Sequence, residues 1–184
     1  EHVEEISQIT DQLVPSSGTC GVMGTTSTMA IIGEALGMML PGGACIPAVL
    51  ADRFRHAELT GAQAVKMAKE DGPTPDKIMT KDAFKNALTV LQSIGGSTNG
   101  IVHLAAIAGR LGIKVDLDEF DEIGRNTQVL VDLKPSGENY MDDMHKAGGT
   151  GPLLRELSHN LVLNTMTVNG KTLGENISDL PPPF

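Results

Sequence analysis

TKDAFKNALTVLQSIGGSTNGIVHLAAIAGRLG, residues 80–112, is the stretch on which the architecture turns. Thr80 stands where an N-cap belongs, and Phe84, Ala87, Leu88 and Leu91 follow at the i, i+3, i+4, i+7 spacing of one helix face. The spacing predicts a helix from Lys81 to about Ile94, which Gly95-Gly96 then breaks. A second helix is expected from about Thr98 to Leu111, with Ile101, Leu104, Ala105 and Ala108 inward and Gly112 as its C-cap. So short a connection makes the two helices antiparallel neighbours.

The same reading extends in both directions. Upstream, Met29, Ile32, Leu36 and Met39 share a stripe over Ser27–Leu40, and Pro41-Gly42-Gly43 would stop that helix. Over Asp52–Glu70 the stripe reads Phe54, Ala57, Gly61, Val65 and Ala68, closed by Asp71-Gly72-Pro73. These faces are expected to bury against the pair at 81–111 in one contiguous four-helix core. Downstream, a short helix is expected over Leu117–Gly124, and Thr127–Leu133, with Val129, Leu130, Val131 and Leu133, reads as a buried strand. Lys134-Pro135-Ser136-Gly137 is a turn, and two short helices follow over about Asn139–Ala147 and Pro152–Leu161. Leu163–Val168 alternates weakly before the hairpin signal Asn169-Gly170, and Pro181-Pro182-Pro183 reads as an extended exit. The class is α/β and helix-dominated, without an internal repeat.

Composition narrows the functions. A length of 184 residues suits one domain or a piece of a larger one. Five aromatic residues are too few for base-stacking platforms, and a net charge of −9 with no basic stripe argues against nucleic acid. The most apolar stretch, 100–113, is too short for a bilayer and carries His103 and Arg110, so no membrane partner is expected. The start, Glu-His-Val-Glu-Glu, lacks both a signal-peptide pattern and an initiating Met, which points to a fragment. Two cysteines, Cys20 and Cys45, make no disulfide framework, and a reducing cytoplasmic location is expected.

Three stretches could carry chemistry. In 16–29, glycines, hydroxyl side chains and Cys20 precede an apolar helix, where free N–H groups and the dipole can hold an anion or poise a thiolate. The plainer reading is a capping loop with a structural cysteine. Gly95–Asn99 is either a tight interhelical turn capped by Ser97 or Thr98, or a set of donors for a ligand carboxylate; it lacks the spacing and Lys of a nucleotide-binding loop. In Met141–Gly149, Asp142, Asp143 and His145 suggest an acid/base or metal set, but adjacent helical residues diverge by about 100°, which favours a solvated helix face. His2, His56, His103 and His159 are isolated and read as surface or hydrogen-bonded residues.

Taken together, Gly-Thr-Cys-Gly-Val-Met-Gly-Thr-Thr-Ser-Thr-Met, Glu-Ala-Leu-Gly-Met with Leu-Pro-Gly, Thr-Lys-Asp-Ala-Phe-Lys-Asn-Ala, Gly-Gly-Ser-Thr-Asn, Leu-Lys-Pro-Ser-Gly and Met-Asp-Asp-Met-His-Lys-Ala-Gly-Gly resemble the dihydroxy-acid dehydratase / phosphogluconate dehydratase family of iron-sulfur dehydratases. The resemblance runs in order from about Cys20 to Glu175. It implies that the chain, 1–184, is a single segment from the later part of an α/β/α N-terminal domain, with 163–184 leading toward a C-terminal barrel. It implies removal of water from a 2,3-dihydroxy acid to give a 2-keto-3-deoxy acid, with an iron as Lewis acid on the departing 3-hydroxyl and a base taking the C2 proton. The implied cofactors are a two-iron cluster held by three cysteines, of which Cys20 matches the last, and Mg²⁺. Cys45 matches no ligand position, and the other ligands and the base are implied to lie outside this segment.

Within the resemblance, Gly-Thr-Thr-Ser-Thr-Met and Pro-Gly-Gly-Ala-Cys-Ile-Pro look more like the sugar-acid branch than the branched-chain amino-acid branch. The expected partners are a small dihydroxy or sugar acid, contacted through Ser97 and Thr98, and further copies of the enzyme in a homodimer or homotetramer. A rival of another class is a non-catalytic helical domain that binds small anions or serves in assembly.

Overall fold

The computed structural model describes residues 2–13 and 17–180. Ten α-helices succeed one another among them: α1 (His2–Gln12), α2 (Thr25–Ala35), α3 (Ala51–Lys69), α4 (Pro75–Ile78), α5 (Lys81–Ser93), α6 (Asn99–Arg110), α7 (Leu117–Arg125), α8 (Met141–Lys146), α9 (Thr150–Glu156) and α10 (Leu173–Ser178). A single 3₁₀ turn, Leu157–Asn160, continues α9. The helix-dominated expectation stands, and the strand content among the described residues reduces to two isolated bridges, Leu133–Asn139 and Met166–Thr172.

The helix pair read from 80–112 is present. Thr80 caps α5 by accepting from Ala83 N at 3.3 Å, and Phe84, Ala87, Leu88 and Leu91 are buried. In α6, Leu104 and Ala108 face inward, but Ala105 is exposed and the partly buried Ile107 packs in its place. α2 ends sooner than its apolar stripe suggests: Leu36 is its C-cap, and Gly37 turns the chain with a φ of 84°. A β-carbon on Gly37 would lie 2.7 Å from Met166 O, so backbone crowding sets this end before Pro41 is reached.

α2 and α5 organise two buried clusters rather than one. Ile31 and Ala35 join Val90, Ile94, Met141, Met144, Leu153 and Leu154. Ile32 and Leu36 join Phe84, Leu88, Leu91, Leu104 and Ala108. α3 belongs to neither, and its expected apolar stripe is overturned: Phe54 is 73% exposed and Val65 54%. The face that α3 turns inward is Arg53, His56, Gln63 and Met67, held by polar bonds, including Gln63 Nε2 to Val168 O at 2.7 Å. Periodicity found the helix and missed its orientation, because the partners it meets are backbone carbonyls rather than apolar side chains.

Thr127–Leu133 is not a strand. Val129 is 65% exposed, and the segment is tied to α5 through Leu130 N donating to Ser93 O at 2.9 Å. Only Leu133 at its end is buried. Residues 163–180 fold back onto the body. Asn86 bridges to Val162 N at 2.7 Å and Val162 O at 3.0 Å, and Leu173 and Ile177 of α10 are buried. The Asn169-Gly170 turn closes with Thr167 N to Lys171 O at 2.9 Å. The polyproline end lies outside the described residues.

Candidate functional site

Cys20 sits on the loop that enters α2. Its thiol is exposed and free, and makes a long contact of 3.9 Å to Val22 O. A β-carbon on Gly24, the N-cap of α2, would come 3.2 Å from Cys20 Sγ, which places the sulfur at the helix start. Two strong backbone bonds fix this loop from the 133–141 segment: Met23 N to Lys134 O at 2.7 Å and Met141 N to Gly21 O at 2.8 Å. Lys134 Nζ in turn donates to Tyr140 Oη at 2.8 Å. The Leu-Lys-Pro-Ser-Gly and Met-Asp-Asp-Met motifs thus meet the cysteine loop in space.

Cys20 opens on a cleft of about 490 Å³. Ser27 and Ala30 of α2 form its floor, the 43–49 loop one wall, and Arg53 and Asp142 supply its charged side chains. Cys45 lies in that wall, buried, and desolvation pushes its thiol up to about 12, so it stays protonated at neutral pH. Cys20 is the thiol available for chemistry. No three His, Cys, Asp or Glu side chains among the described residues are grouped to hold a metal ion.

The wall is held by a residue that sequence reasoning passed over. Glu34, only 5% exposed, accepts from Gly42 N at 2.7 Å, Ala44 N at 3.1 Å and Thr150 Oγ1 at 2.5 Å. Burial raises its carboxyl above the ordinary range, while the three donors act in the opposite direction. From the other side, Arg53 Nη2 donates to Ile46 O, and His56 Nε2 bonds Leu40 O at 3.3 Å. The His56 ring packs against Gly43, where a β-carbon would displace it. The one sequence signal for Glu34 was a lone carboxylate in the otherwise apolar run Met29–Met39.

Ser97 and Thr98 lie at a different place. Ser97 N donates to Thr28 Oγ1 at 3.0 Å, Ser97 Oγ and Thr25 Oγ1 share a 3.0 Å bond, and Asn99 Nδ2 reaches Thr25 Oγ1 at 3.0 Å. The Gly-Gly-Ser-Thr-Asn loop therefore braces the first turn of α2, whose N-cap has no side-chain bond of its own. Thr25 and Thr28 occupy the helix face roughly opposite Ser27 and Ala30 at about 100° per residue, so neither Ser97 nor Thr98 lines the cleft. Ser97 Oγ also accepts from Asn99 N at 3.3 Å at the start of α6, while Thr98 is exposed and caps α6 without a side-chain bond.

Asp142 and Asp143 do not form an acid/base pair. Asp142 bonds Lys146 Nζ at 2.9 Å, which holds its carboxyl below the usual range, and Asp143 accepts from Tyr140 N at 2.9 Å at the N-terminal end of its helix. Among the described residues no helix is long and apolar enough to cross a membrane.

Residues 2–176 match the family described as Dihydroxy-acid/6-phosphogluconate dehydratase N-terminal. Among similar proteins, the dihydroxy-acid dehydratase of Ignicoccus hospitalis is 42% identical over 178 residues, which is 96% of this chain and 32% of the relative. Those of Caldicellulosiruptor bescii and Methylococcus capsulatus are 43% and 44% identical over the same 96% of this chain and 32% of their own length. The chain thus spans about a third of the length of these relatives. It belongs to the dihydroxy-acid/6-phosphogluconate dehydratase family and corresponds to that family's N-terminal region.

Proposed function

We propose that this chain is the part of a hydro-lyase that presents one cysteine ligand and one side of the substrate cleft, in an enzyme that takes water from a 2,3-dihydroxy acid to give a 2-keto acid. The observation that carries the reading is the family match over 2–176 together with Cys20 exposed at the mouth of a 490 Å³ cleft. The relatives named above are dihydroxy-acid dehydratases, which favours the branched-chain dihydroxy acid over the sugar acid expected from the Gly-Thr-Thr-Ser-Thr-Met stretch.

The donor set fits one corner of an iron-sulfur cluster. Cys20 is accessible and lies at the start of α2, whereas Cys45 is buried and its thiol is pushed up to about 12. When bound, such a cluster supplies a Lewis acid for the departing hydroxyl. The residues of this chain hold its ligand loop through Gly21 and Met23, shape the cleft through Glu34, and brace α2 through Ser97. The exposed Thr98 hydroxyl is free to meet a ligand from outside the cleft. No donor set for Mg²⁺ is present among the described residues, and no step is assigned to that ion. Two free thiols suit a reducing, cytoplasmic setting, and a homodimer or homotetramer is the assembly that goes with this reading.

The test uses the full-length protein. Dehydration of a branched-chain 2,3-dihydroxy acid, followed by keto-acid formation, is expected to exceed that of a sugar acid. Cys20→Ala is expected to abolish both the visible absorbance of the cluster and turnover, because a methyl group cannot ligate iron. A full cluster and normal activity in that variant would overturn the assignment.

A further inference from the structure

The cleft contains a cation that the ligand role of Cys20 leaves unused. Arg53, half-buried in the first turn of α3, lines the cleft together with Cys20. Its guanidinium donates to Ile46 O through Nη2. Arg55 and Arg125 pair with Asp52 and Asp121, but among the described residues no carboxylate pairs with Arg53. A guanidinium offers five N–H donors in a planar fork, so most of this one remains for a ligand. The other charged side chain of the cleft, Asp142, is already engaged with Lys146.

Charge makes this arrangement matter. The chain carries −9, so an anionic acid meets repulsion at long range, and a local cation is needed to reverse it inside the cleft. The planar fork of Arg also matches a carboxylate in a way that a lone ammonium does not. We propose that Arg53 receives the carboxylate of the acid substrate in the Cys20 cleft. The identity of the acid rests on the dehydratase reading above, whereas the preference of the cleft for anions is a property of this chain alone.

The experiment uses Cys20 as the reporter. In the iron-free protein, Cys20 is alkylated either with iodoacetate, an anion, or with iodoacetamide, its neutral counterpart, and peptide mapping separates it from Cys45. The ratio of the two rates cancels any change in thiolate fraction. Arg53→Gln is expected to lower the iodoacetate-to-iodoacetamide ratio about three- to tenfold, because a local cation no longer attracts the incoming anion. Arg53→Lys keeps the charge and is expected to keep most of the ratio. In the parent the ratio falls as salt rises from about 0.01 to 1 M, because the field is screened.

An unchanged ratio in Arg53→Gln overturns the proposal. Should that variant fail to fold, a salt-independent ratio in the parent overturns it equally. In the full-length enzyme, Arg53→Gln is expected to raise KM for the acid about tenfold with a smaller change in kcat, and an unaltered KM counts against it. A ratio that responds to Arg53 in a protein that turns over no dihydroxy acid would keep the anion site and discard the dehydratase reading.

Discussion

Glu34 takes a carboxylate out of water and surrounds it with Gly42 N, Ala44 N and Thr150 Oγ1. Its raised folded pKa means that the folded chain holds this proton more tightly than the unfolded chain does. The contribution to stability is therefore fully present below the ordinary carboxyl pKa, and it is lost as pH rises through the raised value. Glu34→Gln removes that titration. Urea unfolding at a series of pH values is expected to show the stability difference between parent and variant shifting in favour of Gln as pH rises from about 4. The exposed carboxylates with lowered pKa, Asp76, Asp142 and Glu175, act in the opposite sense but are common to both proteins. Parallel curves would mean that the three donors cancel the cost of burial. At this scale the sequence made Cys20 legible, because a glycine-rich approach to a helix start is a local pattern. Glu34 and Arg53 were not legible, since their partners are backbone groups 7 to 10 residues away and, for Glu34, the distant Thr150 hydroxyl, and no side-chain spacing encodes such contacts.

Among the elements, α5 shows how far periodicity reaches. Its inner face was readable because both neighbours present apolar side chains to it, and Phe84 is buried among Leu88, Leu104 and Ala108. Phe84→Ala is expected to cost about 3 to 5 kcal/mol in chemical denaturation, the usual range for a truncated buried Phe. Phe54→Ala on α3 is expected to change stability by no more than about 0.5 kcal/mol, as exposed substitutions do. The two aromatic positions looked equivalent in the sequence, so equal costs would show that α3 packs as its stripe suggested. The segment 127–133 failed as a strand for a related reason. Apart from the isolated bridge at Leu133, its apolar residues pair with no neighbouring segment among the described residues, and a row of Val and Leu without a ladder is only an extended connection.

Over the whole molecule, the helical content and the two ends of the central pair followed from the sequence, while the division into two clusters did not. That division depends on which side of α2 each neighbour takes. Neither α1 nor α3 contributes to either cluster, and both carry exposed apolar surface. Val3, Ile6, Ile9 and Leu13 on and beside α1, and Leu50, Phe54, Leu59 and Val65 on and beside α3, lie open. Patches of this kind bind hydrophobic dyes. The native chain is expected to enhance anilinonaphthalene sulfonate fluorescence, and Phe54→Ser with Val65→Ser is expected to reduce the enhancement without moving the unfolding midpoint. Dye fluorescence unaffected by the pair would place the patch elsewhere.

The two sides of the Cys20 cleft hang from opposite ends of α2: the cysteine loop enters at Thr25, and Glu34 near the exit holds the facing wall. Eleven residues at about 1.5 Å each make a rod of roughly 16 Å, so the helix acts as a ruler that fixes the span of the opening. Lengthening the rod by one residue would also swing one end by about 100° relative to the other. Lining side chains can be exchanged one at a time, but the gauge of the cleft changes only in whole helical turns.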